Sequence, residues 1–221
     1  MRFDDLEILD LNSYENEDSK EIKIEVFEGN KTSSGRNGQD EDEDEVNWKK
    51  ELVSWILTIG ITVVVMFGIK EYVIINANVP TGSMENAIMP EDNVFGFRLA
   101  YLNDEPKRGD VIFFYFPDDE TQKYVKRIIG LPGEIVSILD GKVYINDSEV
   151  PLKESYLKEK WTVKTGPYEF LVPEGCYFCM GDNRNVSADA REWNNPYVAK
   201  EKIIGKALWI YFPFDHWGEV K

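Results

Sequence analysis

Leu52–Ile69 is the only long apolar run in the chain, 18 residues without a charge. At about 1.5 Å rise per residue it makes a helix of roughly 27 Å, close to a hydrocarbon core of about 30 Å. Val, Ile, Met, Phe and Trp fall on every side of that helix, so no face is left to meet water. A cleavable signal peptide would be shorter, about 7–15 apolar residues, and would sit near the N-terminus behind a basic flank. The run therefore reads as a membrane span over 49–75, with Tyr72–Ile75 extending it past Lys70 and Glu71 by interfacial anchoring.

Everything else divides around this span. Residues 1–47 hold 16 acids against 5 bases and end in Gln39-Asp40-Glu41-Asp42-Glu43-Asp44-Glu45. Like-charge blocks of this kind stay solvated, so 1–48 reads as a disordered acidic tail, to which no partner is assigned. Arg36, Lys49 and Lys50 precede the span and Lys70 alone follows it closely, which places the tail in the cytoplasm and 76–221 outside. Beyond residue 47 the chain has 25 acids and 20 bases, nothing basic enough to grip nucleic acid.

The outer segment reads as mainly β. Asn93–Phe97, Asp110–Phe116, Tyr124–Ile129, Glu134–Leu139, Lys142–Asn146, Tyr168–Val172, Cys176–Met180 and Ala207–Phe212 are short β-branched and aromatic runs between Pro, Gly, Asn and Asp. Asp140-Gly141 between two such runs predicts a type I′ hairpin. Residues 151–167 read as an irregular polar loop. Cys176 and Cys179 supply two ligands at most, with no second Cys/His pair to complete a zinc site, so no metal or cofactor is expected. Three residues apart on a strand they lie roughly 10 Å apart, too far for a disulfide.

Three stretches carry candidate chemistry. Asn78-Val79-Pro80-Thr81-Gly82-Ser83-Met84 holds a serine just after the span, in a context that is also ordinary turn chemistry. Tyr124-Val125-Lys126-Arg127-Ile128-Ile129 alternates so that Lys126 shares a strand face with Tyr124 and Ile128 while Arg127 points away. A lysine buried there loses basicity and, neutral, can take a proton from a serine hydroxyl. At a strand edge the same lysine would snorkel to water. The third stretch, Met180 to Arg191, is a dense Gly, Asp, Asn and Arg loop that would serve equally as a well-capped turn.

Together these stretches resemble the type I signal peptidases, the membrane-anchored Ser/Lys endopeptidases. The resemblance rests on Pro80-Thr81-Gly82-Ser83-Met84, on Arg108-Gly109-Asp110-Val111, on Tyr124-Val125-Lys126-Arg127 with Gly130-Leu131-Pro132-Gly133, and on Gly181-Asp182-Asn183-Arg184 with Ser187, Asp189 and Arg191. It implies Ser83 as nucleophile, Lys126 as general base, Ser187 as the hydroxyl that orients the lysine, and Thr81 in the oxyanion hole. It further implies Asp189 with Arg191 as an ion pair under the site, Asp182 and Arg184 as loop scaffolding, and Met84 beside the substrate groove. The implied fold is two antiparallel β regions, the second inserted over 134–172. The implied substrates are secretory preproteins with small residues, of the Ala-x-Ala type, before the cut, processed through an acyl-enzyme at the cell membrane. Val186 and Ala190 stand where the family usually has Asn and Ser.

Two other readings compete. A self-cleaving repressor uses the same pair of residues but needs a DNA-binding domain, and a membrane span argues against that. A catalytically silent tethered module would not need Ser83, Lys126 and Ser187 all intact. The single histidine, His216, lies outside every motif, and adjacent Asp215 is poorly placed to orient it.

Overall fold

The computed structural model describes residues 41–221, with side chains from Trp48 onward. The disordered tail is expected over residues 1–48, of which 1–40 lie outside the described residues. Helix α1 covers Glu41–Tyr72. It starts within the acidic run, earlier than the expected boundary at 48, as suits glutamates near a helix N-terminus. The stretch Trp48–Tyr72 has a mean hydropathy of 2.4 over its best window and buries none of it. It is long and apolar enough to cross a membrane.

At its C-terminal end the helix differs from the sequence expectation. Ile74 and Ile75 do not prolong it but begin strand β1 (Ile74–Val79), paired antiparallel with Phe97 and Gly96 of β2 (Asp92–Phe97). Isoleucines offered a partner strand gain more from cross-strand packing than from one more helical turn. The helix runs directly into the β domain, since Val73 N donates to Ile69 O at 3.0 Å and Arg98 N donates to Val73 O at 2.9 Å.

The main sheet is antiparallel, in the order β1-β2-β10-β3-β4-β8-β9, with β11 paired to β10. Here β3 is Val111–Phe116, β4 Asp119–Gly130, β8 Cys176–Met180, β9 Tyr197–Ala199, β10 Ile203–Phe212 and β11 Gly218–Glu219. Strands β5 (Ile135–Leu139), β6 (Lys142–Ile145) and β7 (Tyr168–Leu171) form a separate three-stranded sheet in the order β6-β5-β7. In the chain they fall between β4 and β8. Asp140 and Gly141, at φ 50° and 70°, make the tight turn between β5 and β6 that their sequence demands.

Strand β3 shows why the sheet is buried on both faces. Val111 and Phe113 enter one apolar cluster, with Val79, Met84, Ile88 and Val94. Ile112 and Phe114 enter another on the opposite face, with Ile128, Tyr177 and Cys179. A third cluster joins the two sheets through Ile129, Val136, Ile138, Trp161 and Phe178. Strands β9 and β11 escape the sequence reading because they are only three and two residues long, and β1 because two asparagines interrupt its apolar residues.

Candidate active site

Ser83 sits in a one-turn 3₁₀ helix, Gly82–Met84, that follows β1. The first N–H groups of such a turn have no intrahelical partner, which leaves the Ser83 N–H available to a ligand. Lys126 comes from the inner half of β4, where Val125 through Gly130 are all buried. Its Nζ lies 2.7 Å from Ser83 Oγ and 3.0 Å from Val125 O. Thr81 Oγ1 stands 3.4 Å from the same serine oxygen. Only 4% of Lys126 is exposed. Burial pushes its ammonium down from 10.5 to about 8, against an opposing pull from Asp189, Cys179 and Asp182. About a tenth of the side chain is thus neutral at pH 7 and about half at pH 8, which supplies the proton acceptor the reaction needs.

Lys126 and Ser83 stand in a cleft of about 740 Å³, one wall of which is β1 and the other the stretch Gln122–Lys126 of β4. Strand β1 is the end strand of the sheet, so one of its edges carries unpaired backbone groups. Val186 and Ala188 reach the cleft from the Gly181–Arg191 loop. Met84, in contrast, is wholly buried in the apolar cluster behind the nucleophile turn and does not line the cleft. Its thioether fills a gap in the core and supports the turn from beneath.

The loop after β8 is tied to both partners. Asn183 N donates to Ser83 O at 3.1 Å, and Asn183 Nδ2 to Glu85 Oε2 at 3.1 Å. Asp182 does more than scaffold its loop. Its carboxylate takes Nε and Nη2 of Arg127 at 2.8 and 2.6 Å, fixing the residue next to the lysine. Asp189 and Arg191 form the implied ion pair, Nε to Oδ1 at 2.8 Å and Nη2 to Oδ2 at 2.8 Å, with Gly181 N donating to Asp189 Oδ2. Burial pushes the Asp189 carboxyl up, but the bonds and charge of Arg191 outweigh it and hold it below the usual range.

Ser187 departs from its implied bond. Its Oγ is buried without a hydrogen-bond partner, although it lies close enough to Asp189 to help keep that carboxylate ionised. Lys126 is held instead by Ser83 and Val125. The contact is crowded: a Cβ at Gly181 would collide with both Ser187 Oγ and Ser83 O. Only glycine allows this approach.

The 151–167 segment is the irregular loop its sequence predicts, and three of its residues brace the platform. Glu154 pairs with Arg184, both almost wholly buried. The Tyr156 ring lies 4.2 Å from the Arg127 guanidinium, and Trp161 lies 4.8 and 5.0 Å from those of Arg184 and Arg191. One carboxylate and two aromatics inside a polar run were the available signal. Both cysteines are free, and burial pushes the Cys179 thiol far up, so it packs as an inert apolar group. His216 does not line the cleft. Its Nδ1 lies 2.8 Å from buried Asp92 Oδ1, while Asp215 is 4.0 Å from its other nitrogen.

A lysine held against a serine hydroxyl in a largely apolar cleft, with no histidine beside it, is the geometry of a serine peptidase that uses an amine as its base. A family model described as "Signal peptidase, peptidase S26" matches residues 52–212. Signal peptidase I of Leptolyngbya laminosa is 34% identical over 176 residues, covering 76% of this chain and 84% of that protein. Signal peptidase I of Rickettsia typhi is 32% identical over 216 residues, covering 74% and 80%. The crystal structure of a signal peptidase I from Enterococcus faecalis V583 is 36% identical, covering 47% of this chain and 97% of that one, with a TM-score of 0.39. The chain belongs to the signal peptidase family, peptidase S26, and is a serine endopeptidase.

Proposed function

We propose that this chain removes signal peptides from secretory preproteins at the cell membrane, with Ser83 as nucleophile and Lys126 as general base. The observation that carries the reading is the 2.7 Å contact between a buried, weakly basic Lys126 Nζ and Ser83 Oγ. Neutral Lys126 takes the proton as Ser83 Oγ attacks the scissile carbonyl. The Ser83 N–H and the Thr81 hydroxyl meet the developing oxyanion. Lys126 then gives its proton to the leaving amine, which departs as the N-terminus of the mature protein. In the second half, Lys126 draws a proton from water, hydroxide attacks the acyl ester, and Ser83 recovers its proton.

Ser187 enters in that second half. Once Ser83 Oγ is an ester, Lys126 loses a hydrogen-bond partner, and the free buried hydroxyl of Ser187 is suited to replace it. Asp182, Arg184, Asp189 and Arg191 keep the loop rigid, and Met84 supports the nucleophile turn. Residues 48–72 span the bilayer once, the acidic segment before them is cytoplasmic, and the β domain from Ile74 onward faces outward with 134–172 as its inserted region. Arg36, Lys49 and Lys50 support that orientation.

The test is incubation of the purified full chain in detergent with a preprotein carrying alanines at the first and third positions before the cut. A single cut after the nearer alanine, lost when either is replaced by a bulky residue, is expected. No processing, or cutting indifferent to those positions, would overturn the reading.

A further inference from the structure

The cleft carries a charge pattern that the peptidase reaction does not use. Three basic residues line it, Arg98, Lys123 and Lys126, and no acidic one does. That bias runs against the whole chain, which holds 41 acids and 25 bases. Lys126 is accounted for by Ser83. Arg98 is not accounted for: it forms no side-chain hydrogen bond or ion pair among the described residues, and its Nε is buried without a partner. It also borders a smaller apolar pocket with Leu99 and Tyr101. A guanidinium half out of water with no acceptor is costly, and buried donors of this kind are normally met by a ligand, a water or an ion.

Its place in the fold says which part of a substrate it would meet. Arg98 follows β2, and its N–H bonds to Val73 O at the start of β1, while Ser83 follows the other end of β1. Six steps of extended chain at about 3.3 Å, from Val73 to Val79, place the Arg98 backbone roughly 20 Å from Val79. Lys123 lines the same cleft from the opposite wall, three residues before Lys126 on β4, its Nζ 5.8 Å from the centre of the Tyr115 ring. Helix α1 ends at Tyr72, beside Arg98. The apolar core of a signal peptide would share the bilayer with α1, so the stretch between that core and the cut reaches Ser83 by passing Arg98 first.

We infer that Arg98, with Lys123 opposite, forms a subsite that takes an acidic side chain of the signal peptide about five to seven residues before the cut. This rests on the peptidase reading above and adds to it a charge preference at a remote position. An arginine fork pairs a carboxylate bidentately, which makes such a subsite selective against lysine as well as favourable to glutamate.

The test is a series of preproteins, identical except for a single Glu, Lys or Ala at each position from the fourth to the ninth before the cut, processed by the full chain in detergent. At one or two adjacent positions Glu should exceed Lys in kcat/KM by roughly fivefold or more, chiefly through KM. Within each variant the Glu-to-Lys ratio is then compared at that position. Arg98→Lys should keep the ratio above one, Arg98→Gln should bring it close to one, and Arg98→Glu should invert it. A flat series, or a ratio unchanged in Arg98→Gln and Arg98→Glu while the parent substrate is still cleaved, overturns the subsite and leaves the peptidase standing. So does a flat series together with an Arg98-dependent response to anionic vesicles, which would give the guanidinium to a lipid headgroup. Failure of wild-type protein to cleave the parent overturns both.

Discussion

Lys126 Nζ and Ser83 Oγ, 43 positions apart in the chain, meet at 2.7 Å in a buried setting that pushes the lysine down to about 8. The strand contributes the amine, the one-turn helix contributes the hydroxyl, and the Gly181–Arg191 loop holds both in register.

The pH dependence has a fixed sign. Only neutral Lys126 accepts the serine proton, so kcat/KM should rise with pH through an apparent pKa near 8 and reach a plateau above it. A histidine base would give a limb near about 6.5. Asp92, hydrogen-bonded to His216, pushes the imidazole upward and ties it to the start of β2. His216→Ala should keep both the plateau and the limb, measured as initial rates between pH 6 and 10.

Catalysis and stability should oppose each other at Lys126. A depression from 10.5 to about 8 means that below pH 8 the folded state carries a buried charge at a cost of about 3 kcal/mol. The unfolded state binds the proton more tightly, so this cost is present in full below the folded pKa and fades as pH rises from about 8 to 10.5. Lys126→Met keeps the stem volume without the charge. Urea unfolding should find it more stable than wild type at pH 7, by a few kcal/mol, with the gap closing at pH 10.

The brace from the inserted segment should matter to stability before it matters to chemistry. Glu154→Ala leaves the Arg184 guanidinium, 2% exposed, without its counter-ion. That costs about 3–5 kcal/mol, on the order of 10 °C in melting temperature. Trp161→Phe, which keeps an aromatic face under Arg184 and Arg191, should lose much less than Trp161→Ala. Calorimetry of the three variants in one detergent checks the order.

Gly181 tests the register of loop and nucleophile. A methyl group there would strike Ser83 O, a backbone atom, and Ser187 Cβ at 2.6 Å, which stays in place whichever way the hydroxyl turns. A displacement of about 1 Å at a catalytic centre can cost about 100-fold in rate. Gly181→Ala should lose activity on that scale while circular dichroism still reports a folded β domain.

The sequence made the local features legible and left the long-range ones hidden. The apolar span, most of the strands, the Asp140-Gly141 turn and the three motif stretches follow from periodicity, turn chemistry and resemblance. What could not be read depended on partners far away in the chain. Arg127 was seen only to point away from Lys126, and its clamp on Asp182 lies 55 positions on. Residues 151–167 are the irregular loop that the sequence predicts, but the roles of Tyr156 and Trp161 exist only against three arginines of other segments. Ile74 and Ile75 read as the end of the helix because nothing local in the sequence says that β2 pairs with them. Met84, which the resemblance sets beside the groove, packs in the core behind the nucleophile turn, a contact with no local signal in the sequence.

The most direct test of the account is the initial rate of preprotein processing by Ser83→Ala, Lys126→Met and the double variant, each verified as folded. The contact between the two side chains makes them one catalytic unit. Each single variant should lose at least about 100- to 10,000-fold, and the double should be no worse than the weaker single. A Lys126→Met enzyme that processes preproteins at near wild-type rate would contradict the account.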